Sequence, residues 1–110
     1  MKVEQKGHTF IVKDTKSDLS KFIENLYQNY NSFKNHNLIV DLTKNGNVTK
    51  TDFKRVKDLI SSQKKINKSI VFVNDRLDFD TIFKGLIIVP TILEAHDIIE
   101  MEEIERDLGF

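Results

Sequence analysis

The sequence predicts an α/β fold: a mixed β-sheet with parallel central strands, an N-terminal β-hairpin and about three main helices. Three observations predict it. The runs "NLIVDL", "SIVFV" and "LIIV" have strand length and lack the alternation of a half-solvated strand, so they read as strands covered on both faces. The stretches that precede the first two place apolar residues at steps of three and four, the period of one helix face. The resulting order, β-β-α-β-α-β-β-α, requires helical crossovers between parallel neighbours, right-handed by the usual chirality.

Each element has its own signal. "KVEQK" and "HTFIVKD", joined at Gly7, alternate weakly and carry β-branched and aromatic residues, which predicts a short hairpin with the glycine in its turn. Leu19, Phe22, Ile23, Leu26, Tyr27 and Tyr30 line one face of a helix expected over Ser17–Asn31, capped by Thr15 or Ser17. "NLIVDL" follows as the first buried strand. Phe53, Val56, Leu59 and Ile60 mark a second helix, expected over Lys50–Lys64 with its lysines outward. "SIVFV" and then Leu86–Val89 are the next strands, and "NDRLDFDTIFKG" between them has room for one or two helical turns. Pro90 sits where a last helix can begin, and that helix is expected to run through Asp107. Its apolar positions form two stripes, Ile92, Ala95 and Ile99 beside Ile98, Met101 and Leu108, flanking an acidic face.

At 110 residues the chain suits one domain, 1–110, with a single core. Its 39% hydrophobic and 31% charged residues are those of a globular protein. No apolar run approaches the ~20 residues that cross a bilayer, and "MKVEQKGHTF" lacks the apolar centre of a signal peptide, so a cytoplasmic location without a membrane partner is expected. The absence of cysteine excludes disulfides and thiolate chemistry.

A net charge of zero hides a division. Met1–Leu93 holds 16 Lys and Arg against 10 Asp and Glu, whereas Glu94–Phe110 holds 7 acids and one Arg. Thr43–Lys68 alone carries 8 basic residues against Asp52 and Asp58. Oppositely charged surfaces are therefore expected.

Catalytic signals are weak. His8, His36 and His96 have no second histidine at metal-ligand spacing, so no metal site or cofactor is predicted. A nucleophile elbow and a glycine-rich phosphate cradle are both missing from the sequence. Lysines 50, 54, 57 and 64 suit phosphate contacts, yet no aromatic is interleaved among them, which makes nucleic acid the weaker partner reading. The loop "DLTKNGNVTKTDF" holds more. Thr49 followed by Asp52 has the spacing of a capping box, and Asn45-Gly46-Asn47 suits a tight turn. A helix start is also where a phosphoryl group is best received.

This order of elements, with a strand "LIVDLT" ending in an acid, a loop and helix, "SIVFVN", "GLIIV" and a closing "PTILEAHDII", resembles the STAS domain, the family of bacterial anti-sigma factor antagonists. The resemblance covers almost the whole chain. It implies a non-enzymatic regulatory domain that binds a protein, such as an anti-sigma factor or a kinase-like regulator, under control of a phosphorylated serine in a D-S-S-G motif. By position, Asp41 matches the strand-end acid and Thr49 or Thr51 falls nearest that serine. The chain has no D-S-S-G, and its loop is longer. The expected contact and switch residues are Asp41, Thr43, Thr49, Lys50, Thr51 and Lys54. The tail "PTILEAHDIIEMEEIERDLGF" also resembles short Bacteroidetes-type chains labelled ribonuclease Z, but the zinc-binding H-x-H-x-D-H cluster of that enzyme is absent. That likeness implies at most a non-catalytic accessory of RNA processing. A third reading is a homo-oligomeric scaffold in which the acidic tail of one copy meets the basic helix of another.

Overall fold

A computed structural model describes residues 1–46, 48–76 and 85–109 of the chain. Strands β1 (Lys2–Lys6) and β2 (Thr9–Lys13) form the antiparallel hairpin, with Lys6 opposite Thr9. That register leaves a two-residue loop, and Gly7 enters it at φ +60°, where a Cβ would be strained. Helix α1 (Leu19–Phe33) leads to β3 (Asn37–Asp41), then come α2 (Lys50–Lys54), α3 (Lys57–Lys65), β4 (Ile70–Val73), β5 (Ile88–Val89) and α4 (Ile92–Asp107). The sheet order is β1-β2-β3-β4-β5, antiparallel at the first pair and parallel elsewhere. The predicted α/β class and mixed sheet are therefore the observed ones.

The pleat sorts the core into two layers. Leu38, Val40 and Leu42 of the β3 segment, Ile70 and Phe72 of β4 and Val12 of β2 pack with Phe22, Ile23, Leu26, Phe53, Val56 and Leu59 from the first three helices. The alternate positions Ile39, Val71 and Val73 pack with Ala95 and Ile99 of α4. Every residue of β3 and β4 is buried, which explains why neither strand alternates in sequence. Beyond β3, Leu42 N–H still donates to Val73 C=O at 2.8 Å, so the pairing reaches into the following loop.

Several boundaries differ from expectation for local reasons. The cap of α1 is Asp18, whose carboxylate accepts from Lys21 N–H, because Ser17 has φ +54° and turns its hydroxyl to Lys44 C=O instead. The helix continues to Phe33, a buried residue that extends the apolar face about one turn past Tyr30. The expected helix Lys50–Lys64 is broken into α2 and α3: Arg55 N–H bonds to Asp52 C=O and Val56 N–H to Phe53 C=O, tight i−3 bonds that overwind the chain and allow Phe53, Val56 and Leu59 all to reach the core. Pro90 precedes the last helix and Thr91 caps it, its hydroxyl accepting from Glu94 N–H. In the expected strand Leu86–Val89 the ladder covers Ile88 and Val89, with Ile87 C=O accepting from Phe72 N–H at 2.9 Å; the strand lies at the sheet edge and is half-buried. With Ile87 and Val89 packed against the α4 layer, Leu86 and Ile88 against the other, and no further strand beside it among the described residues, it keeps an apolar run without full burial. The helical turns expected in "NDRLDFDTIFKG" fall on residues 77–84, outside the described residues.

Candidate functional site

Three parallel strands, β2, β3 and β4, end at the same rim of the sheet, where buried polar residues gather: Asp14 after β2, Asp41 at the end of β3 with Asn45 beyond it, and Asn74 after β4. Asp14 accepts from Asn45 Nδ2 at 2.6 Å and from Lys16 N–H at 3.0 Å. Asn74 Nδ2 donates to Leu42 C=O and Asn45 C=O at 3.2 and 3.0 Å, and its Oδ1 accepts from Arg76 N–H. These side chains tie the start of the loop after β3 to both neighbouring strands. No described buried side-chain polar atom is left without a partner.

Asp41 is buried at the end of β3, where one carboxylate oxygen accepts from Thr43 N–H at 3.0 Å and from the Thr43 hydroxyl at 2.7 Å. This is an Asx turn, which bends the chain out of the strand. Asp41 sits on the pleat shared with Ile39, so it borders a shallow depression with Lys13 and Ile92 on the α4 side. Thr49 is exposed and caps α2: its hydroxyl accepts from Asp52 N–H at 3.2 Å, while Asp52 Oδ2 receives Thr49 N–H at 2.8 Å and lies 3.0 Å from the hydroxyl. The capping box read from the sequence is thus fully formed. Lys50, Thr51 and Lys54 are exposed along α2.

The structure therefore groups Thr49, Lys50, Thr51 and Lys54 in one place and Asp41 with Thr43 in another. No hydrogen bond among the described residues joins the two groups. Between them stands an open groove formed by Ser17, Asp18, Ser20, Lys44, Gly46 and Asp52. The backbone at Gly46 is closely approached by Arg76, whose Nη1 would lie 2.7 Å from a Cβ placed there.

Asp14, Asn45 and Asn74 were not among the expected site residues. Their signal was present: each is a polar residue just after an apolar strand, in "IVKD", "VDLTKN" and "VFVN". Only the strand order turns that into a cluster, since 31 residues separate Asp14 from Asn45.

The ionisation of other groups follows their packing. Burial raises the pKa of Tyr27, with Asp58 adding to the effect, and burial raises that of Tyr30. His96 is shifted down by burial and then by Lys6, against a smaller opposing effect of Asp97. None of these groups lies at the rim. No group of three or more potential metal ligands occurs among the described residues.

No protein-family model and no curated protein matches the chain. No helix of the described residues is long and apolar enough to cross a membrane.

Proposed function

We infer that the chain is a non-enzymatic regulatory module, similar to anti-sigma factor antagonists of the STAS family, which binds a protein through the loop after β3 and the basic segment that follows. The observation that supports this most is the use of the buried polar groups at the rim. Asp14, Asn45 and Asn74 are engaged with each other and with loop carbonyls, so their chemistry holds a surface in place. Lys44 of the loop and Lys50 and Lys54 of α2 are exposed and basic, and Thr51 is exposed between the last two. Positive charge on a fixed loop suits an acidic surface of a partner such as an anti-sigma factor or a kinase-like regulator, and speeds encounter.

Of the two threonines nearest the family's switch position, Thr51 carries the regulatory proposal. A phosphoryl group on Thr49 would meet the Asp52 carboxylate 3.0 Å away and would disrupt the cap. Thr51, exposed in the first turn of α2, makes no hydrogen bond to a carboxylate among the described residues. The RNA-processing alternative has less support, because the break at Arg55–Val56 divides the row of lysines between two helices.

The test is quantitative affinity capture from native lysate with wild-type protein, the triple variant Lys44→Glu/Lys50→Glu/Lys54→Glu, and Thr51→Glu. Charge reversal is expected to abolish capture of the specific partner, and Thr51→Glu to reduce it by about tenfold, the factor that corresponds to 1.4 kcal/mol. Capture indifferent to the triple variant would overturn the assigned surface.

A further inference from the structure

The outer face of α4 presents a second surface, on the opposite side of the sheet from the loop and α2. Leu93, Met101, Ile104 and Leu108 are 71%, 58%, 52% and 66% exposed, although each is a large apolar side chain. At 3.6 residues per turn these four and Asp97 fall in one sector about 80° wide. Ala95 and Ile99, which seat the helix on β3 and β4, lie on the other side. The stripe runs about 22 Å along the helix. Apolar residues on both faces of a helix in a small α/β fold mean that one face serves the core and the other is left for something else.

The charges beside the stripe decide what that is. Exposed Glu100 and Asp107 border it on one side, exposed Glu94 and Glu105 on the other, and Asp97 lies within it. Arg106, the only Lys or Arg on α4, is half-buried and donates to Ser69 Oγ at 3.2 Å. The ion pairs seen among the described residues, Lys2–Glu4, Lys21–Glu24 and Arg55–Asp52, lie on other elements. Pairing α4 with α4 of a second copy would therefore set acids against acids. Pairing it with α3 of a second copy supplies lysines but no apolar ridge, since the exposed positions of α3 are Lys57, Asp58, Ser61, Lys64 and Lys65.

We propose that this face of α4 docks an amphipathic helix of a partner protein, apolar along one side and bordered by lysine or arginine. The linear stripe gives the ridge-and-groove contact of two helices, unbranched Met101 adapts to the incoming side chains, and the flanking carboxylates meet the partner's cations. The inference stands apart from the reading of the β3 loop, because it uses none of that loop's residues.

The experiment uses a fluorescein-labelled 18-residue Leu/Lys amphipathic peptide, a scrambled peptide of the same composition, and a Leu/Glu amphipathic counterpart. Anisotropy titrations are run with wild-type protein, Leu93→Ser/Ile104→Ser, Glu100→Gln/Glu105→Gln and Lys50→Glu/Lys54→Glu. All substituted positions are exposed, and circular dichroism verifies folding. The Leu/Lys peptide is expected to bind in preference to both controls and to shift backbone amide resonances of residues 93–108. Each α4 double variant is expected to weaken binding by about tenfold or more, and the α2 variant to leave it unchanged. Equal binding of the scrambled peptide, or full binding to Leu93→Ser/Ile104→Ser, would overturn the proposal. So would a concentration-dependent dimer in sedimentation velocity that Leu93→Ser/Ile104→Ser abolishes, because a second copy would then occupy the stripe.

Discussion

A side-chain amide near a strand end has an unusual reach in this protein. Asn74 is 2% exposed, yet both of its amide hydrogens have acceptors and its oxygen takes a backbone N–H. It acts as the hinge pin between the end of β4 and the loop that leaves β3. Leu42 C=O keeps a second donor, Asn45 N–H at 2.9 Å, so loss of Asn74 falls mainly on Asn45 C=O. A buried carbonyl left unpaired costs about 1–3 kcal/mol. Asn74→Ala is therefore expected to lower the unfolding free energy by about 2 kcal/mol in urea titrations. An unchanged midpoint would mean that the loop does not depend on this amide. Within the same site, Thr49 and Asp52 were legible in sequence because three residues separate the members of a capping box. Asp14, Asn45 and Asn74 were not, because their contact exists only after three strands have been laid side by side.

At the scale of elements, α1, β3 and β4 could be read directly, because each has one period and one environment along its length. Elements with divided duties were harder. The segment Lys50–Lys65 must bury Phe53, Val56 and Leu59 and is broken by a tight turn at Arg55–Val56, which a simple 3.6-residue pattern does not reveal. Its second half has a further task. Gln63 of α3 is completely buried; it donates to His36 C=O at 2.9 Å and Ser69 C=O at 3.1 Å, and accepts from the Tyr30 hydroxyl at 2.8 Å. One side chain thus joins α1, α3 and the chain entering β3 and β4, at the end of the sheet away from the loop. Gln63→Met preserves length and volume while removing the donors. Ser69 C=O retains Leu38 N–H, so the orphaned group is chiefly His36 C=O, and destabilisation of about 1–3 kcal/mol is expected. Tyr30→Phe takes the donor from the buried Gln63 Oε1 and is expected to cost about 1–3 kcal/mol as well. Thermal or urea unfolding of both variants checks this; an unchanged midpoint in either would mean that the junction does not depend on that bond.

Over the whole molecule, burial falls from the centre of the sheet outward, and the order of strands explains why. β3 has two parallel neighbours, with α1–α3 on one face and α4 on the other; β4 shares both layers. β1 is exposed along its entire length, and its outer edge is protected from pairing with other chains by Lys2, Glu4 and Lys6. β5 has a ladder of two residues and is half-buried. Local openings need less energy where fewer apolar contacts are lost, so stability should be graded in the same direction. Native-state hydrogen exchange is expected to show amides of Ile39, Val40, Val71 and Phe72 opening only with global unfolding, at about 5–15 kcal/mol for a domain of this kind. Amides of β1 and β5 are expected to exchange through smaller openings that depend little on urea. The rim network bears on the same measurement, because Asn45 and Asn74 clamp the loop to the two most protected strands. Slow exchange at Asn45 N–H, matched to that of β3, would mean that the proposed binding loop belongs to the rigid centre, whereas exchange as fast as β1 would make it a separately opening segment and remove the argument for a preformed contact surface.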